Sequence, residues 1–186
     1  MKILIILFSL VIFSIKAQYK IPNIVKEDKE LSKYIFNTIN SYRDSIGVKP
    51  YIWVDYWYSS AKKWNDEVSN TGKWGHNRGL GWENFKGTEL IVAVPVIKNC
   101  DNNYKFIADS SLNQWLHSPY HVGPIKAVRQ EKIGDTSPMS WGSDMTINSV
   151  LLSRYGAISA NILDYGSHKM IYIIFQLGQY SDSNTK

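Results

Sequence analysis

The chain has 186 residues, 21 basic and 16 acidic side chains, 44% hydrophobic content and one cysteine. These figures bound a single globular domain large enough to hold a core without disulfides. Cys100 cannot form a bridge within the chain, which excludes a disulfide-framework module. The net charge of +5 is small and dispersed, and no basic run interleaves with aromatics, so a nucleic-acid groove is excluded as well.

Met1 to Ala17 carries an early lysine, an apolar run broken by Ser9, and a small residue before Gln18. That order is the pattern of a secretory signal peptide over residues 1–17, cleaved after Ala17. The apolar run is shorter than the roughly 20 residues a bilayer requires, so no membrane span is expected after cleavage. No cysteine follows the run, which excludes a lipoprotein anchor. The expected product is secreted or periplasmic, and its lone thiol is easier to place in a bacterial envelope or exterior than in a cysteine-rich eukaryotic family.

Residues 18–28 read as a polar lead-in, 29–180 as the domain, and 181–186 as a disordered tail. Leu31, Tyr34, Ile35, Ile39 and Tyr42 recur at three- and four-residue intervals, which predicts a first helix ending at Gly47. Asp55 sits where an N-cap would, and Trp57, Ala61, Trp64 and Val68 repeat with helical spacing up to Gly72. Ile35, Ile39, Trp57, Ala61 and Trp64 are therefore expected in the core, with Lys62 and Lys63 facing water. From Trp74 to Asn84 the glycines at 75, 79 and 81 predict an irregular loop leading into a short strand. A third helix is expected from about Phe106 to Leu116, burying Ile107, Leu112 and Trp115, and the aperiodic stretch from His121 to Asn148 reads as a long surface excursion. Tyr155 to Leu163 and Met170 to Gln179 are rich in β-branched and aromatic residues around turn residues 164–167, which predicts an antiparallel hairpin. Helices dominate the first two thirds and strands the end, so the expected fold class is α+β, with helices on both faces of a small, mostly antiparallel sheet.

Gly-x-Ser-x-Gly, His-Glu-x-x-His, phosphate-loop and dinucleotide signatures are absent from the sequence. The polar residues set in aromatic, glycine-bearing text remain as candidates: His76 in Gly75-His76-Asn77-Arg78, Glu83 in Gly81-Trp82-Glu83-Asn84, and His121 in Ser118-Pro119-Tyr120-His121. Arg43 and Asn40 read as scaffold contacts, since an arginine at a helix end commonly meets nearby carbonyls. His117 is expected to point away from the Trp115 face, and His168 to be solvated in the hairpin turn. Cys100 has no evident base or cation to activate it.

Asn40 to Trp53, Ala61, His76, Gly81-Trp82-Glu83-Asn84 and Trp115-Leu116-His117-Ser118-Pro119-Tyr120-His121 follow one another in an order that resembles the CAP superfamily. This is the cysteine-rich secretory protein, antigen 5 and pathogenesis-related 1 domain, and the resemblance is to its bacterial, disulfide-free branch. It implies a three-layer α-β-α sandwich with a surface cleft holding two histidines and acidic residues, which in some members bind a divalent cation. His76 matches the first cleft histidine and His121 the second, with Tyr120 where glycine is usual. Glu83 matches the glutamate of the Gly-Glu-Asn segment, with Trp82 inserted before it. Ser118 stands where animal and plant branches carry a second glutamate.

The cleft so implied comprises His76, Glu83, Asn84, Ser118 and His121. His76, His121 and Glu83 form a chemically sensible zinc set, whose affinity would fall as pH drops through the imidazole pKa of about 6.5. Glu83 has two open readings, one acting on a ligand and one fixing His76. Asn84 reads as an amide tie between loops. No catalytic residue is assigned. The expected function is a secreted ligand-binding or interaction module for an extracellular peptide, glycan or lipid, and the alternative is a metal-dependent, peptidase-like hydrolase in the same cleft.

Overall fold

The computed structural model describes residues 22–72, 74–76, 87–96, 103–119, 121–126 and 154–178. Strand β1 (Ile24–Glu27) lies in the segment expected as a mere lead-in, and Asp28 then caps helix α1 (Lys29–Ser45) through a side-chain bond of 2.8 Å from the Leu31 N–H. The buried stripe of α1 is Leu31, Ile35, Phe36, Ile39 and Arg43, whereas Tyr34 is exposed. Gly47, at φ 74°, takes the left-handed turn after the helix that a side chain would resist.

Strand β2 (Ile52–Trp53) leads into α2 (Asp55–Thr71). Val54, not Asp55, occupies the N-cap position, and Asp55 instead accepts from Trp53 Nε1 at 3.0 Å. Trp57, Ala61, Trp64 and Val68 are buried as their spacing demanded. Lys62 departs from expectation: it is half-buried between Glu27 (3.3 Å) and Asp66 (2.6 Å), because β1 runs past this side of the helix. The expected short strand is nine residues long, β3 (Thr88–Val96). Helix α3 (Tyr104–His117) is capped by Asn103, and α4 (Val122–Lys126) gives a turn of helix to the start of the expected excursion. The hairpin is β4 (Tyr155–Asp164) and β5 (Lys169–Gly178).

The sheet runs β1-β4-β5-β3, antiparallel throughout, with β2 added parallel to β4. Alternation along the strands separates two faces. Leu90, Val92, Val94, Ile158, Ile171, Ile173 and Phe175 pack with α1, α3 and α4, while Ile91 and Ile174 pack under Ala61, Trp64 and Val68 of α2. The result is an α-β-α sandwich. On the α2 side, a polar seam replaces part of the apolar packing: Asn65 donates to Ser159 O and Tyr172 O, both at 3.0 Å, and Asn161 donates to Asp66 at 3.0 Å. Trp57 fits against Gly87 and Gly178, where an added Cβ would collide with its ring.

Candidate functional site

Two helix ends bring the site together beyond the edge of β3. Helix α2 stops at Gly72, which adopts the left-handed conformation and donates its N–H to Val68 O at 2.9 Å. The exposed Trp74 ring then packs on Tyr172 with centroids 4.5 Å apart, and Gly75 at φ 136° turns the chain into His76. Open space surrounds Gly75, so its backbone angle rather than crowding calls for glycine there.

Helix α3 ends at His117, and Ser118 O accepts from both His121 N (3.1 Å) and Val122 N (3.0 Å). The same serine's hydroxyl pairs with His121 Nδ1 at 2.8 Å. Ser118 thus engages the second histidine at the position where the resemblance put a lost glutamate. The segment after His121 is fastened from α1. Arg43 Nη1 donates to Pro124 O (2.7 Å) and Ile125 O (2.9 Å), and its Nε and Nη2 donate to Lys49 O at 3.0 and 2.8 Å. Its guanidinium lies over the Tyr51 ring, 3.9 Å from the centroid, and Tyr51 Oη–H donates to Pro124 O at 2.7 Å. Burial pushes the Tyr51 hydroxyl up to about 12, with Arg43 opposing the rise. Asn40 holds both the N–H and the C=O of Tyr51. The scaffold role read for Arg43 and Asn40 is therefore a clamp that sets where α4, and with it His121, can sit.

The His76 and His121 rings lie 6.0 Å apart between centroids. His76 Nδ1 donates to Glu89 Oε1 at 3.1 Å, and Gln176 Nε2 donates to Glu89 Oε2 at 2.8 Å. The acceptor is a carboxylate, so Nδ1 carries a proton, and when the ring is neutral its lone pair lies at Nε2. Glu89 is buried, with a side chain only 2% exposed, and these donors offset part of the cost of burying its charge. The sequence reading missed it. Glu89 follows Gly87 by two positions and heads the apolar run Leu90 to Val94, and a charge at the inward-facing start of a strand is the signal that could have found it. Glu83 and Asn84, the residues read from the Gly-Trp-Glu-Asn segment, lie outside the described residues, as does Cys100.

Desolvation by burial, followed by repulsion from His76, lowers the His121 imidazole to about 4. His121 is therefore neutral and able to donate a lone pair across the physiological range. A cleft of about 370 Å³ opens beside it, lined by Trp74, Ile91, Val92, Ala93, Gln114, Trp115, Ser118 and His121. His117, by contrast, bonds the Asn113 carbonyl on the exposed side of α3, and His168 stacks on Tyr165 in the exposed hairpin turn. Neither approaches the cleft.

The family model described as Cysteine-rich secretory protein family (CAP) matches residues 36–170, well over half of the chain. The chain belongs to the CAP family. That match runs from within α1 to the start of β5 and so takes in both cleft histidines, Glu89 and Ser118. No curated protein matches the chain. CAP domains are extracellular-type interaction modules at the family level, and among the described residues of this one no helix is long and apolar enough to cross a membrane.

Proposed function

We propose that this CAP domain is a secreted ligand-binding module, whose cleft takes an extracellular ligand and whose two histidines hold a divalent cation. Its support is the pairing of two imidazoles, 6.0 Å apart between ring centres, each tied at Nδ1 to an oxygen, beside an open cleft. Metal-binding histidines are commonly oriented in this way, the second ring nitrogen being held by a carboxylate or another oxygen. Two imidazoles on one tetrahedral zinc would put their ring centres about 5 Å apart, so a closure of about 1 Å brings these two into range. Among the described residues, no three His, Cys, Asp or Glu side chains are grouped to hold a metal. The described donors are therefore two nitrogens, and Glu83 remains the proposed third ligand. A cation bound there would supply positive charge and an open coordination position to the ligand.

Hydrolysis in the same cleft is the second reading. It needs a general base besides the two imidazoles that would hold the cation, and the buried Glu89 carboxylate beside them is already engaged by His76 and Gln176, which favours binding over turnover. Calorimetric titration of zinc into the protein beginning at Gln18 tests the proposal. Micromolar or tighter binding that His76→Ala and His121→Ala each weaken by about tenfold or more is expected. Absence of binding, or binding indifferent to both substitutions, would refute it. Intact-mass measurement of exported protein tests secretion, with retention of residues 1–17 the contrary result.

A further inference from the structure

Among the described residues, strand β3 is the terminal strand of the sheet and pairs with β5 alone. Which of its main-chain groups face outward follows from the register. The Tyr165 N–H donates to His168 O at 3.0 Å, so in the β4-β5 ladder the even-numbered β5 residues turn their N–H and C=O groups toward β4. The odd-numbered ones, from Lys169 to Leu177, then face β3. Their partners are Thr88, Leu90, Val92, Val94 and Val96. Glu89, Ile91, Ala93 and Pro95 must therefore direct their main-chain groups to the outer edge. Pro95 agrees independently, because a residue without an N–H is tolerated in a strand where its nitrogen faces away from the ladder.

The cleft meets this edge. It is lined by three consecutive residues, Ile91, Val92 and Ala93, whose side chains alternate between opposite faces of the sheet. A single cavity can touch all three only by approaching the strand edge-on. There the N–H and C=O groups of Ile91 and Ala93 form a row repeating at about 6.8 Å, the two-residue step of an antiparallel strand. Trp74 flanks the row from the α2 side, and Gln114, Ser118 and His121 flank it from the α3 side.

We infer that the cleft takes an extended peptide segment of another protein, which adds to β3 as a further antiparallel or parallel strand along Ile91 and Ala93 and so passes His121. This rests on the cleft being the ligand site and names what that ligand is. A peptide backbone repeats its donors and acceptors at the same interval as the strand edge and satisfies both kinds of group. A lipid chain would leave the row without partners, and a glycan has no matching alternation of donors and acceptors. The volume of about 370 Å³ suits a short segment, not a folded partner.

The substitution Ala93→Pro provides the test, since it removes one outward N–H where the strand already carries Pro95 at an equivalent position. A random heptapeptide library is panned on the protein, and the recovered sequences are made as blocked synthetic peptides. Their binding to the parent and to Ala93→Pro is compared by calorimetry, and amide exchange at Ile91 and Ala93 is followed by NMR. The expected result is slowed exchange at those two amides and binding weakened about tenfold or more in Ala93→Pro, with its thermal midpoint and zinc affinity unchanged. Should Ala93→Pro fail to fold, the exchange measurement on the parent decides. Failure to recover peptides, equal binding to both proteins, or perturbation of Ile91 and Ala93 by chitohexaose or palmitate instead would overturn the inference. Zinc binding that still depends on His76 and His121 would in that case leave the function proposed above standing, and loss of both would remove the site altogether.

Discussion

Replacing Arg43 with methionine keeps most of the side chain's length and removes its charge and all of its donors. Arg43 is 4% exposed, and its guanidinium makes four hydrogen bonds to the carbonyls of Lys49, Pro124 and Ile125. Tyr51 still serves Pro124 O in the variant, and Lys49 is an exposed residue whose carbonyl water can reach, so the Ile125 oxygen is the buried acceptor left deprived. Leaving a buried acceptor without its partner costs about 1–3 kcal/mol, and the ring stacking on Tyr51 contributes up to about 2 kcal/mol more. Burial also lowers the Arg43 pKa, so the parent residue is held charged at some desolvation cost, which the apolar variant recovers in part. The net expectation is a loss of about 3 kcal/mol, a large fraction of the 5–15 kcal/mol typical of a domain. Urea unfolding followed by tryptophan fluorescence measures it. Because the clamp positions the segment that follows His121, the NMR signals of the His121 ring should shift in the folded variant while those of the exposed His168 stay in place. A loss below about 1 kcal/mol with an unmoved His121 would refute the clamp.

Gly178→Ala should destabilise by about 1–3 kcal/mol through overpacking, since the added methyl meets the Trp57 ring, and a Trp57→Leu background should relieve part of that loss in denaturant unfolding. The His121 pKa is lowered in the folded metal-free protein, so between about pH 6.5 and about pH 4 the unfolded chain holds a proton that the folded chain refuses. Stability is therefore lost as the pH drops through that window, by about 2 kcal/mol after allowance for partial solvent screening, and His121→Asn should flatten the corresponding part of the pH profile. An identical slope in the variant would show that burial does not lower this imidazole. Glu89→Gln keeps an oxygen facing His76 but loses the charge, and should weaken zinc affinity by about tenfold in calorimetry, whereas unchanged affinity would mean Glu89 does not orient the ring.

Short-range order was legible in the sequence. Apolar spacing marked α1, α2, α3 and the terminal hairpin, because a helix face or strand face is set by residues three, four or two positions apart. The short landmarks from Asn40 to His121 were likewise enough to suggest the family. Strands β1 and β2 were not legible: four and two residues carry too little periodicity, and they are strands only because β4 offers them an edge. The half-burial of Lys62 has the same origin, since its partner Glu27 arrives with β1.

The site divides along the same line. His76 and His121 could be picked out as polar residues in irregular text, but their 6.0 Å approach depends on α2 and α3 lying on opposite faces of one sheet and ending at the same edge. Glu89 looked like part of a strand and became the partner of His76 through the register that sets Gln176 opposite it. The outward main chain of Ile91 and Ala93 is more remote still from the sequence, because every residue carries the same amide. Side-chain chemistry is written locally and can be read locally, whereas pairing, burial and edge exposure are properties of which segments meet, and only the folded chain decides them.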